Sequence, residues 1–341
     1  MIIYYIALII IIISALSYTA ENNSDYLSFK TTNAVKGIFI LLIFASHIIP
    51  YISNAIGSGG ENKTNVLLDN IHIGQWVVAM FLFYSGFGVM ESIRKKGKDY
   101  ILAIPKRRIL GTLINFDIAV IIFMIVGLLL GKPLEKKQCL LALTGWESVG
   151  NSNWYIFIIL LCYGITFISF YRQRNHIKAA LYCLSGLLIT TLLLSLVKDD
   201  YWYNTMLCYG SGILFSIYRE KIENYTKLHY WKTLILLLFS LAGVGCINYE
   251  IRGLGYNLFT ILFCATIILL TMRLNINSCI LTWCGKNLFP LYIYQRLPMI
   301  ILATIDNGTF VANYPTVYIF ICLLATLAIT YLHKYWNIKI Q

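Results

Sequence analysis

Lys36 and His47 are separated by ten residues, GIFILLIFAS, all apolar or small. On a helix rising 1.5 Å per residue the imidazole lies roughly 16 Å along the axis from the ammonium group. With Lys36 at one face of a hydrocarbon core about 30 Å thick, His47 lies past the midplane. Ionisable side chains at that depth are expensive and mark function, although a lone histidine is more often one satisfied by a neighbouring helix. An imidazole titrating near neutrality suits a general base. Arg296, in the segment YIYQRLP, is a second charge deep in an apolar run. A mid-span arginine needs a carboxylate, carbonyls or a water-filled cavity. Asp117, some eight residues into another run from the same face, is the candidate partner. The two read either as a structural ion pair or as groups that bind an anionic or sugar substrate. A third feature is the seven basic residues between Arg94 and Arg108, ending in PKRR. Ordinary membrane topology explains most of them, yet such a cluster also holds phosphates, which arginine grips in a bidentate way. His176, His229 and His333 read as solvated loop or tail residues, and His72 stands at the start of an apolar run.

The elements that position these groups are membrane helices. The chain of 341 residues is 59% hydrophobic and 12% charged, with mean hydropathy +0.72; soluble proteins carry about twice that charged fraction. Its apolar runs are long and continuous, whereas a β-barrel would show short alternating strands. The expected class is an all-α polytopic membrane protein. The first run, Met1 to Tyr18, has no basic residue ahead of it and so lacks the n-region of a signal peptide. Residues 1–20 are therefore expected to form a retained N-terminal transmembrane helix. Ten further runs, at 34–53, 71–93, 109–131, 153–171, 179–197, 203–218, 232–249, 256–273, 287–305 and 314–332, bring the total to about eleven. The 203–218 run is short and interrupted by glycine.

The net charge of +12 invites a nucleic-acid partner, but its distribution excludes that reading. Twenty of the 27 Lys and Arg residues fall in the loops after odd-numbered helices, or in the C-terminal tail, and six fall in the opposite loops. That bias puts the N-terminus outside and the C-terminus in the cytoplasm. Lys36 then lies at the cytoplasmic edge and His47 in the outer half. The nine cysteines show no zinc or redox spacing; Cys279 and Cys284 form a lone CxxxxC, so no metal is expected.

With these pieces placed, the chain resembles the membrane-bound acyltransferase 3 family, over about residues 30 to 332. The motifs run in the family's order. A basic residue, ten apolar residues and a histidine are Lys36 to His47, with a KGI start at Lys36-Gly37-Ile38 similar to the sugar O-acetylase branch. An FFxxSGF-type stretch is Phe81 to Phe87, and the basic segment entering the next helix is Lys106-Arg107-Arg108. A WYI-type start is Asn153-Trp154-Tyr155-Ile156, and a late SxxIYLxH-like helix runs from Gly285 to Tyr294. The chain departs from the pattern at Thr32 and Asn33, where an acidic residue is common, and at Gln295, which stands where the family has histidine.

The resemblance implies a ten-helix core with helix 1 added: residues 1–20 as the extra helix, 30–333 as the acyltransferase domain and 334–341 as a short basic cytoplasmic tail. It implies acetyl-CoA as donor substrate, with no permanently bound cofactor. The acceptor would be a sugar hydroxyl on a lipid-linked or exported glycan, reached at the outer side of a bacterial cytoplasmic membrane. Membrane lipid is the surrounding partner. His47 would be catalytic base or acyl carrier, and Lys36, Arg107 and Arg108 would meet the CoA phosphates. Arg296, Asp117, Ser85, Trp154 and Tyr155 are the candidate substrate-binding residues, Ser85-Gly86-Phe87 permitting close helix approach along the acyl path. The competing reading is a lipid-linked glycan flippase or polymerase, in which Arg296 and the loops 54–70 and 132–152 handle the sugar. A transporter built from repeated halves ranks below both, since the chain shows no internal repeat.

Overall fold

The computed structural model describes residues 1–19, 23–57, 73–247, 253–305 and 307–338. The helices are α1 (Ile2–Ala15), α2 (Phe29–Ile56), α3 (Ile73–Lys96) and α4 (Lys98–Leu129), the last passing through a π-helical turn at Ile104–Leu110. A short helix α5 (Lys136–Leu143) precedes α6 (Trp154–Tyr171), α7 (His176–Leu194) and α8 (Leu207–Ile247). Then come α9 (Leu254–Thr271), α10 (Cys279–Lys286), α11 (Leu288–Ile305), α12 (Thr309–Asn313) and α13 (Pro315–Leu332). The two strands β1 (Leu16–Tyr18) and β2 (Leu274–Ile276) pair antiparallel. Among the described residues, nine helical stretches are long and apolar enough to cross a membrane, and the chain is an all-α multi-pass membrane protein.

The expected runs 203–218 and 232–249 overlap one helix, α8, over residues 207–218 and 232–247, and the reason is a sharp reversal. His229 has φ −127° and ψ 33°, outside helical geometry. A straight helix of 41 residues would be about 60 Å long. Both ends of α8 instead sit near the start of α9. The Leu207 amide donates to Asn257 (2.9 Å), and Gly245 packs on the Phe259 ring. The middle of α8 meets the other end of α9, where Thr226 reaches the Met272 sulfur and Arg273 lies 4.9 Å from the Tyr230 ring centroid. The element is thus a helical hairpin whose two arms flank α9, and the sequence's two crossings are both present. Exposed His229 sits at the bend, stacked on Tyr225.

Helix α1 has 14 residues, about 21 Å of axial length, which is short of a 30 Å core. It lies antiparallel to α2, the Tyr4 hydroxyl donating to the Leu41 carbonyl, and β1 pins its far end to the stretch after α9.

Two helix pairs approach closely because of glycine. In α2 and α10, a methyl group at Gly37 would strike the Leu281 carbonyl and one at Gly285 would strike the Asn33 carbonyl. In α3 and the first arm of α8, Gly86 sits on the Tyr209 carbonyl and Gly212 on that of Phe83. Without side chains at these points the backbones meet directly, as small residues allow in membranes. The KGI and SGF motifs therefore have a packing reason of their own.

The basic loops gather at one end of the bundle. There Arg219 pairs with Glu223 (2.7 Å), Tyr26 donates to the same carboxylate (2.8 Å), and Arg94 pairs with Glu91 (3.2 Å). His333 lies at this end and corrects the expectation of a solvated residue. It is 5% exposed, ringed by Phe289, Tyr294 and Trp336. The cause is the tail, which folds back. Trp336 donates to the Tyr294 hydroxyl, and the Asn115 amide exchanges two 2.9 Å hydrogen bonds with the Ile338 backbone.

Candidate active site

His47 lies two-thirds of the way along α2, one turn before Tyr51. Helix α11 begins at Leu288 and presents Tyr292 and Arg296 four residues apart, on one face. The His47 and Tyr292 rings are 6.2 Å apart, and the Arg296 guanidinium lies 6.0 Å from the Tyr51 ring centroid. The Arg296 charge acts on both His47 and Tyr292. From the end opposite the basic loops, the segment 145–153 dips into the bundle, Gly150 packing against Ile300 of α11. It brings buried Ser152 and the start of α6 beside the Tyr292 phenol, and Tyr155 meets the Tyr292 ring at 5.3 Å.

Apart from the approach of Ser152 to the Tyr292 phenol, the buried His47 Nδ1, Tyr292 OH, Ser152 Oγ and Arg296 Nε meet no hydrogen-bond partner. Buried polar groups are paired in the great majority of cases, and each exception calls for a reason. Four such atoms, from three separate stretches of the chain, lie around one point. Both His47 and Arg296 remain partly accessible, so space adjoins them.

The expected Arg296–Asp117 pair does not form. The ion pairs among the described residues are Arg94–Glu91, Lys198–Glu147 and Arg219–Glu223, and Asp117 Oδ1 is itself buried and unpartnered. Equal depth on two helices aligned them in sequence, but Arg296 turns toward α2 and Tyr51. The guanidinium is thus left without a carboxylate, and a buried cation in that state favours an anion or a developing negative charge.

The other candidates fall into two groups. Tyr155 belongs to the His47 cluster, and Trp154 adjoins it through a 6.3 Å ring contact. Ser85 and Arg108 belong to a separate string toward the basic end. The Arg108 guanidinium bonds the Tyr100 hydroxyl (3.1 Å) and lies 6.0 Å from the Tyr163 ring centroid, while the Tyr163 hydroxyl meets Ser85 at 2.9 Å. Arg107 and Arg108 are exposed on the π-helical turn, a distortion that recurs at functional sites. Lys36 is half-buried, with no ion pair among the described residues. Gln295 is buried, its amide nitrogen donating to the Tyr292 carbonyl (3.1 Å). His72 and most of the 54–70 loop lie outside the described residues.

Sequence reasoning missed Tyr292, Tyr51 and Ser152 as members of the site. The i, i+4 spacing of Tyr292 with Arg296 and of His47 with Tyr51, each of which puts both side chains on one helix face, pointed to the two tyrosines; no such spacing pointed to Ser152.

Residues 30–334 match the family model of the acyltransferase 3 domain, and the chain belongs to the acyltransferase 3 family. No curated protein and no solved structure matches the chain. It is a membrane acyltransferase, which favours transfer chemistry over the flippase reading.

Proposed function

We propose that this protein O-acylates a saccharide, moving an acetyl or other short acyl group from acyl-CoA to a sugar hydroxyl. The observation that carries the reading is the convergence of His47, Tyr292, Ser152 and Arg296, with His47 Nδ1 and Arg296 Nε left unpaired. His47 takes the proton of the acceptor hydroxyl. The oxygen attacks the thioester carbonyl, and the resulting oxyanion develops beside the Arg296 guanidinium and the Tyr292 hydroxyl. The carbon–sulfur bond then breaks, and the thiolate leaves with the proton that His47 returns. The base holds one proton through the cycle, and no other reactant is needed. Donors fixed in place where charge develops supply the largest single part of most rate enhancements.

The donor enters from the basic end, taken as cytoplasmic, where Lys36, Arg107 and Arg108 offer charge to its phosphates. The string Arg108–Tyr163–Ser85 lines its way inward. The acceptor arrives from the opposite face of a bacterial cytoplasmic membrane, under the 145–153 segment. The test is the acetyl-ester content of the cell-surface glycan, by NMR, in wild type, a deletion strain and His47→Ala, with membrane insertion of the variant verified. Ester lost in both, at unchanged glycan amount, is the expected result. Ester retained in His47→Ala alone would remove His47 from the chemistry, and ester retained in the deletion strain would overturn the function.

A further inference from the structure

At the end opposite the basic loops, a cavity of about 550 Å³ opens between the 146–153 segment and the residues that follow α7. Trp146, Glu147, Asn153, Lys198, Asp199 and Tyr201 are among its walls. One side chain locks the two segments together. The Lys198 ammonium donates to the Trp146 carbonyl (2.8 Å), sits 4.0 and 4.3 Å from the Trp146 and Trp202 ring centroids, and lies 3.8 Å from the Glu147 carboxylate. Such contacts preform a groove before anything enters it, which lowers the ordering cost of binding.

The groove connects to the reacting groups. Tyr201 touches Trp154 at 6.2 Å, Trp154 touches Tyr155 at 6.3 Å, Tyr155 touches Tyr292 at 5.3 Å, and Tyr292 touches His47 at 6.2 Å. Between groove and site, Asn151 and Ser152 are fully or almost fully buried, with Asn151 Nδ2 and Ser152 Oγ unpartnered. A line of aromatic rings packed edge to face, half-buried at Tyr201 and Trp154, with the amide of Asn151 and the hydroxyl of Ser152 beside it, suits a chain of sugar units, each offering an apolar face and a rim of hydroxyls. Charge narrows the class. The Lys198 cation is matched by Glu147, which leaves exposed Asp199 as the surplus charge of the wall, and that surplus disfavours an acidic sugar.

We propose that this groove is a saccharide subsite that holds an uncharged sugar unit of the acceptor next to the one being acylated, so that the enzyme acts on oligomeric glycan. The proposal rests on the O-acylation reading for its acceptor and adds where the acceptor is held and how long it is.

The test uses the full-length protein in lipid nanodiscs. Its probes are de-esterified surface glycan from the deletion strain, cut to single repeats and to longer pieces. Ser195→Trp fills the groove from its exposed rim, and Asp199→Asn removes the surplus charge; neither residue touches the His47 cluster. Saturation-transfer NMR reads binding, and acetyl transfer from acetyl-CoA is measured separately. In Ser195→Trp the expected result is loss of binding of the longer pieces and at least a tenfold rise in their KM, with kcat and single-repeat transfer unchanged. Asp199→Asn is expected to bind the longer pieces as wild type does, while admitting acid-bearing oligosaccharide at least threefold better. Equal binding and equal KM in Ser195→Trp and wild type would overturn the subsite, as would an equal loss on single repeats and longer pieces. Groove binding by a wild-type protein that transfers no acetyl group would instead overturn the O-acylation reading and leave the groove standing.

Discussion

Replacing Gly285 with alanine tests whether the close contact between α2 and α10 sets the geometry of the site. The added Cβ would lie 2.6 and 2.8 Å from the backbone C and Cα of Asn33, and closer still to its carbonyl oxygen. Carbon atoms pack best at about 3.5–4.0 Å, so the two helices must part by roughly 1 Å. No rotamer change relieves the clash, because the obstructing atoms are backbone. Overpacking of this kind destabilises by about 1–3 kcal/mol. The higher helix propensity of alanine returns up to about 1 kcal/mol, and the steric term wins. The consequence for chemistry is larger. Helix α10 leads through Asn287 directly into α11, which carries Tyr292 and Arg296, whereas α2 carries His47. Separating α10 from α2 therefore pulls the base away from its neighbours, and a misplacement of about 1 Å is worth on the order of 10²-fold in rate. The assay pairs thermal unfolding in detergent with glycan ester content. Gly164→Ala in α6 is the control, since an added Cβ there meets nothing within 4 Å; it is expected to keep full transfer and to gain a fraction of 1 kcal/mol. If Gly285→Ala unfolds at the wild-type temperature and transfers normally, or if Gly164→Ala falls as far, the packing argument fails.

Three further outcomes follow from the same geometry. Tyr292→Phe deletes a buried hydroxyl approached only by Ser152 among side chains, so thermal stability is expected to change by less than about 1 kcal/mol while transfer drops; a larger fall in stability together with unchanged transfer would place that hydroxyl in the fold instead. Arg296→Gln removes a partly buried cation with no ion pair among the described residues, and acetyl transfer is expected to fall about 10²–10³-fold at unchanged membrane insertion; transfer within threefold of wild type would exclude Arg296 from the chemistry. Asn115→Ala breaks the two hydrogen bonds that hold Ile338, worth about 1–3 kcal/mol together. Limited proteolysis is expected to cut near Lys334 sooner than in wild type, and an unchanged cleavage rate would show that Trp336 and His333 hold the tail alone.

The sequence by itself determined the class and most of the helices, and it singled out His47. Long apolar runs with no alternating pattern leave the backbone no stable state in lipid except a helix, and the expected runs 203–218 and 232–249 are both found, joined within α8 at His229, whereas α1 is too short to span by itself. His47 stood out because an ionisable group ten apolar residues from a lysine has no cheap place in a membrane. The glycine of SGF was visible as a small residue and its effect, close helix contact, followed, whereas the contact of Gly37 with Leu281 emerged only in the packed structure. Tertiary structure decided what each group faces. Depth along a helix is one coordinate, and two residues at equal depth can point anywhere about their axes, so Asp117 looked like the partner of Arg296 while Arg296 lies against Tyr51. Ser152 joins the site only because the 145–153 segment folds inward against α11, and His333 is buried only because the tail returns to Tyr294 and Asn115. Hydropathy and spacing record distance along the chain and into the membrane, whereas rotation about each helix, and the course of the segments between helices, are settled only when the helices pack together.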